Sequence, residues 1–353
     1  MEFFASAPCK AILFGEHYVV YGSPALSLPI APRNRVKFTL GAPAPAAQGA
    51  PGGMAQGGLS AAQGGILLSS MLGKGAIAPG GSYAGEPRLS IYASVAKGMF
   101  PAGGMPSCSA EFFSAWGMKG VGVSASLCAA FAAGIAHAAG RKASPEDVFS
   151  AAQSGDLVAH GGRASGIDAK TVSAGKPLAF TRTFYPSAFI GKPMRFPLPA
   201  GASLMLIDTN KGKKDGTDAM LQKFAKSFGI STPPEGASEE KREEVRAEYA
   251  PIWQGVLSSI KAKDAKGLGS LMGANHSLLR KRGMSSDGIE RAIASALSYG
   301  AHGAKLTGGG GEGGAALALL QKSSARASAK KIEDETGFQC YPLTLARAGA
   351  RVD

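Results

Sequence analysis

The stretch KGVGVSASLCAAFAAGIAH, from Lys119 to His137, constrains this chain more than any other. Gly120 and Gly122 allow backbone N–H groups to approach a ligand closely, and Ser124 and Ser126 add hydroxyls. Small and apolar residues follow at once with helical spacing. A helix beginning near Ser124 turns the positive end of its dipole back on the loop, which makes a place to hold an anion, most naturally a polyphosphate. A glycine loop alone is as often an ordinary turn. This one is accompanied by PCKAILFGEHYVVYG, ending at Gly22, and by GAKLTGGGGEGGAALAL, starting at Gly303.

Together these three blocks resemble the GHMP kinase superfamily, and within it most closely the mevalonate kinases. The first motif of that superfamily runs A-P-G-K-x-x-L-x-G-E-H-x-V-V-Y-G, and Ala7 to Gly22 matches it except for Cys9 in place of glycine. LMGANHSLLRKRGMSSDGIERAI, from Leu271, resembles the mevalonate kinase stretch ahead of the third motif. The resemblance covers most of the chain outside residues 41–105. It implies two α+β lobes with the active site between them, and transfer of phosphate from ATP to the primary hydroxyl of mevalonate with Mg²⁺.

The resemblance also implies roles for individual residues. Asp168, in ASGIDA, takes the position of the catalytic aspartate, where a carboxylate can accept the proton of the attacking hydroxyl; otherwise it is a carboxylate at a helix start. Lys10 matches the first-motif lysine beside that aspartate; otherwise it is an exposed strand lysine. Ser124 and Asp156 match the Mg²⁺ ligands, with aspartate where the family usually has glutamate; otherwise Asp156 is a solvated helix carboxylate. Nucleotide contacts fall on Gly120, Gly122, Ser124, Ala125, Ser126, Gly308, Gly309 and Gly310, although the last three could form a plain hairpin turn. Substrate contacts fall on Glu16, His17 and Arg182, the last as a guanidinium fork for a carboxylate. Glu16 and His17 could equally be a structural pair.

Departures from the pattern are confined to a few positions. Val121 and Val123 replace Leu and Ser of the usual G-L-G-S-S-A. The aspartate loop HGGRASGID is one residue longer than H-G-x-P-S-G-x-D, with Ala164 where proline is expected. Glu312 interrupts the third glycine run and must point away from phosphates or pair with a lysine. Lys211, Lys213 and Lys214 are either a solvated loop or a cluster suited to a more anionic substrate, so the alternative activity is that of phosphomevalonate kinase or another GHMP small-molecule kinase. A non-catalytic nucleotide or RNA binder is a second alternative, disfavoured because Lys10, Ser124, Asp156 and Asp168 are all present.

Composition narrows the class. A chain of 353 residues with 45% hydrophobic content can bury a substantial core. No apolar run reaches the length of a membrane span, and the N-terminus lacks a signal-like basic region. Four cysteines without metal spacing suggest a reduced, cytoplasmic protein. The net charge of +13 is scattered, and aromatics are only 7%, so specific nucleic-acid binding is not expected. A basic surface drawing in ATP and an anionic substrate is the expected consequence. The oligomeric state stays open, a homodimer included.

Pattern reading places strands near 2–7, 10–14, 34–40 and 110–115, helices at 91–99, up to 137 and from Ser144 to about 158, and a strand at 177–182. Residues 41–64 carry no charge and no aromatic side chain. They bury too little to offset ordering entropy, so 41–85 reads largely as a flexible insertion. Prolines accumulate at 185–200, which divides the chain into 1–185 and 186–353. The second half opens with a strand from Ser203. Helices follow near 214–228, 238–262, 265–281 and 286–299, then strand–loop–strand around 303–320, a helix at 323–335 and a last strand. Such segregation indicates an α+β fold.

Overall fold

The computed structural model describes residues 1–41, 65–115, 117, 120–209 and 216–353. The first sheet is built on a long hairpin of β1 (Glu2–Phe14) and β2 (Ala25–Leu40), antiparallel from Glu2 opposite Thr39 to Phe14 opposite Leu26. β6 (Ser107–Phe113) extends it beside β2, and β3 (Gly65–Ser70) pairs parallel to β6. β4 (Gly73–Ile77) and β5 (Tyr83–Gly85) finish that edge. β7 (Leu178–Phe184) joins β2 near its start and carries β8 (Ser187–Pro193). The division expected at 185–186 falls at the turn of this hairpin, so the first sheet extends to residue 193.

Residues 65–85 correct the reading of 41–85 as a flexible insertion. Ile66 and Leu68 alternate with outward neighbours along β3, and with Ile77 they are almost completely buried in the first core. Two-residue periodicity, short as it is, is what a half-buried strand requires. The remaining part of that expectation, 42–64, lies outside the described residues.

On this sheet pack α1 (Ile91–Met99), α2 (Val123–Ala138), α3 (Pro145–Ala159) and the short α4 (Ile167–Ala174). α3 begins as its sequence foretold. Ser144 Oγ accepts from Asp147 N at 3.2 Å and Asp147 Oδ2 accepts from Ser144 N at 2.8 Å, a reciprocal capping box ahead of Pro145. α4 was expected only through the alternative reading of Asp168 as a carboxylate at a helix start, because eight residues are too few to display a helical stripe.

The second sheet is antiparallel, in the order β10 (Gly303–Thr307), β11 (Ala315–Gln321), β9 (Ala202–Asp208) and β12 (Gln339–Pro342). Helices α5 (Thr217–Ser227), α6 (Glu239–Ala262), α7 (Ala265–Lys281), α8 (Asp287–Ser298) and α9 (Ala325–Thr336) accompany it. β1 links the two cores. Ala5 and Ala7 belong to the first, whereas Cys9 to Phe14 pack with residues of β9 to β11 in the second. Lys10 stands at that passage. A two-residue strand, β13 (Arg351–Val352), closes on the free edge of β1.

Candidate active site

A cavity of about 230 Å³ opens where the two cores meet. Its wall draws on β1 and the loop after it, the glycine–serine loop, the end of α3, the start of α4, the first turns of α5 and the third glycine loop. All but the first turns of α5 are segments singled out by sequence, now lining one cavity.

Lys10 is the centre of the arrangement. Its side chain is 2% exposed, so it is no exposed strand lysine. Its Nζ lies 3.1 Å from Asp168 Oδ1 and donates to Gly120 O at 3.2 Å. The Lys10 backbone N–H also donates to Val121 O at 2.9 Å, which fixes the glycine loop to β1. Gly122 has φ +69, and a Cβ there would sit 2.9 Å from Lys10 Cγ and 3.4 Å from Asp168 Oδ2. The loop can lie across the Lys10–Asp168 pair only with glycine at that position. Gly308 makes the corresponding approach from the second sheet, since a Cβ on it would meet Gly120 Cα at 2.6 Å.

Asp168 occupies the first turn of α4. Burial pushes its carboxyl above the ordinary value, Lys10 pulls it back, and the charge of Asp156 adds to the rise. A base moved toward neutral pH while paired with a cation suits proton acceptance from an alcohol. Asp156, 2% exposed, is not a solvated helix carboxylate. Its Oδ1 has no aligned hydrogen bond although His160 Nε2 is 3.3 Å away, and the residue lines the cavity with Ser124. Burial opposes protonation of His160, yet the neighbouring Asp156 and then Asp168 carry its imidazole above the usual value.

Glu16 and His17 line the cavity too, the first held by the second sheet and the second by α5 and the third glycine loop. Lys305 Nζ on β10 pairs with Glu16 Oε1, both side chains fully enclosed, and Glu16 Oε2 is left without a partner. His17 has the uncommon φ of +60 for a residue with a side chain. Its ring stacks on Phe224 and its Nε2 lies 3.1 Å from Gly309 O. Burial depresses its imidazole to about 4, so at neutral pH Nε2–H donates to that carbonyl. The enclosed, unpartnered Nδ1 is then an acceptor.

Other expected residues lie elsewhere. Ser126 is fully buried and donates to Ala7 O at 2.9 Å, and Ala125 beside it is buried as well. Gly310 is turned against Met284 O, not against the cavity. Arg182 does not line the cavity. It is 3% exposed and bonded to Glu235, and its Nε and Nη1 are enclosed without partners. Glu312 is exposed. Lys211, Lys213 and Lys214 lie outside the described residues. Conversely, Arg163, Ser165, Thr217 and Leu221 face the cavity and were not anticipated. The one available signal was the extra residue in HGGRASGID.

Residues 256–335 match the family described as GHMP kinases C terminal. The mevalonate kinase of Aeropyrum pernix is 30% identical, with 99% of this chain and 98% of that one covered. The mevalonate kinase of Thermococcus sibiricus is 28% identical over 100% and 99% of the two chains. The crystal structure of L. major mevalonate kinase in complex with R-mevalonate superposes with a TM-score of 0.67, covering 98% of this chain and 96% of the other at 22% identity. Among the described residues no helix is long and apolar enough to cross a membrane.

Proposed function

The chain belongs to the mevalonate kinase family of the GHMP kinases, and from that premise we propose that it transfers the terminal phosphoryl group of ATP to the primary hydroxyl of mevalonate, giving phosphomevalonate and ADP. The observation that carries this reading is the Lys10–Asp168 pair, 3.1 Å apart beneath two glycine loops in contact.

Phosphoryl transfer asks the protein mainly for positioning and charge neutralisation. In this reading Gly120, Gly122 and Ser124, at the start of α2, offer N–H groups and a helix dipole to the phosphates, and Gly308 and Gly309 shape the opposite side. Asp168 accepts the hydroxyl proton as the new P–O bond forms. Lys10 holds the carboxylate in place and offsets charge gathering on the transferring group. His17 Nδ1 and Glu16 Oε2, enclosed acceptors without partners, suit hydroxyl groups of the substrate.

The donor set also fits Mg²⁺: a hydroxyl and a carboxylate with one enclosed oxygen lacking a hydrogen bond suit a hard cation that takes few protein ligands. Ser124 and Asp156 would hold it, and when bound it neutralises phosphate charge. Ser124→Ala and Asp156→Ala are expected to raise the Mg²⁺ concentration for half-maximal rate. An unchanged Mg²⁺ dependence in both would remove them from the ligand set.

A cytoplasmic location belongs to the same reading, supported by four unpaired cysteines, three of them buried. The direct test offers ATP with mevalonate, phosphomevalonate, galactose and homoserine in parallel. Mevalonate should be turned over with the highest kcat/KM. Preference for any of the others would replace the proposed activity.

A further inference from the structure

We propose that Glu235 is an internal stand-in for the carboxylate of the substrate. It holds Arg182 until the substrate's acid takes its place, and so sets the affinity for mevalonate. The proposal rests on the mevalonate reading above, with Arg182 as the cation that meets the acid.

The two members of the pair are unequal. Arg182 is 3% exposed on the inward face of β7, whereas the side chain of Glu235 is 53% exposed. Glu235 belongs to a single 3-10 turn, Pro234–Gly236, between α5 and α6. Its Oε1 accepts from Arg182 Nη2 alone. Nε and Nη1 of the same guanidinium are enclosed and have no hydrogen-bond partner. A guanidinium fork matches a carboxylate through two parallel N–H bonds, and enclosed donors left idle are costly. Glu235 therefore offsets the charge of Arg182 without filling its fork, and a second carboxylate can complete it.

Exchange of partners moves the glutamate and not the arginine. The turn is fixed by its backbone: Arg242 Nη1 donates to Pro234 O at 3.2 Å, and Gly236 N donates to Pro233 O at 2.9 Å. Among the described residues the Glu235 side chain makes no hydrogen bond besides the one to Arg182. Rotation about its own side-chain bonds thus carries the carboxylate into water and leaves the turn in place. Arg182 is held by the rings of Phe184 and Phe189, at 5.0 and 5.4 Å from its guanidinium carbon. Phe189 also reaches the aspartate loop, since a Cβ on Gly166 would meet its Cδ1 at 2.5 Å. Gly166 directly precedes the helix that carries Asp168. Arg182 therefore stands one aromatic ring behind the base, and a short substrate with its hydroxyl at Asp168 and its acid at the fork joins the two.

The test compares kcat/KM for mevalonate with that for the triol in which the carboxylate is reduced to an alcohol. Glu235→Gln keeps the shape of the side chain and can still accept from Nη2, but it no longer competes as an anion. Its preference for mevalonate over the triol should exceed the parent's by roughly three- to tenfold, through a lower KM, because the receptive form of Arg182 is no longer populated only in part. Arg182→Ala should lose the preference, and adding Glu235→Gln to it should change nothing further. Because each ratio is measured within one variant, a general loss of folded enzyme cancels. If Glu235→Gln does not fold, Glu235→Asp, one methylene shorter, should raise the preference in the same direction. A pair with only a structural role predicts a lower Tm in Glu235→Gln and a preference that is unchanged or reduced. That result, a parent preference retained in Arg182→Ala, or a further rise in the double variant would overturn the proposal. Failure of the parent to turn over mevalonate at all would instead overturn the functional reading, and is seen before any variant is made.

Discussion

Asp168→Asn lowers kcat by roughly 10²–10⁴ while the KM for ATP changes little. Asparagine keeps the shape of the side chain and its place at the start of α4, but it cannot accept a proton. Lys10 retains its bond to Gly120 O, so the glycine loop keeps its support and nucleotide binding is preserved. The competing role, a carboxylate that only stabilises the helix start, predicts the opposite pattern of lower thermal stability with near-normal turnover. Steady-state kinetics and a melting curve on one preparation separate the two. Turnover within tenfold of the parent would show that Asp168 is not the base.

Lys305→Met has the largest expected effect on stability. Lys305 and Glu16 are both fully enclosed, one on β10 and the other after β1, so their pair crosses from one sheet to the other. Burial lowers the lysine from its ordinary value and raises the glutamate, each opposed by the attraction of its partner. Removing one member leaves an uncompensated buried charge, at a cost of about 3–5 kcal/mol. The fall in Tm should be on the order of 10 °C. The deficit should shrink as the pH is lowered, because a protonated Glu16 can be buried far more cheaply. Lys305→Met combined with Glu16→Met should recover most of the stability, since apolar replacement of a whole buried pair is often neutral. Activity should stay low in the double variant, because Glu16 lines the cavity. A single variant as stable as the parent would show that the pair contributes nothing.

Local patterns with a physical cause were legible before any coordinates. The Ser144 cap and the helix after Ser124 were read from local pattern, the Lys10–Asp168 juxtaposition was implied by the family resemblance, and the structure contains all three. Which way a side chain faces was harder to read. Ser124 and Ser126 are two residues apart on one helix and so face different ways. The first lines the cavity, and the second is bonded to Ala7 O in the core. Arg182 follows the alternation of β7 onto the inward face shared by Leu178 and Phe180, where motif distance alone gives no warning. Arg163 has no periodic signature because it belongs to a loop, and only a length mismatch marked it. The strands of 65–85 were hidden by glycine-rich neighbours, whose composition outweighed a short alternating run.

The edge pairing of β1 bears on the order in which the molecule can be assembled. Ala5 and Ser6 are opposite Val352 and Arg351, and the Ser6 hydroxyl donates to Asp353 across 347 positions of sequence. β1 is thus flanked by residues that are synthesised long after it. Until they arrive, one side of β1 presents unpaired N–H and C=O groups, the kind of edge that invites pairing with another chain. Such distant contacts also slow folding, because loop closure precedes any gain from them. Nascent chains stalled short of residue 351 should therefore be held open along that edge, and should be more prone to associate through it than chains that include residues 351–353.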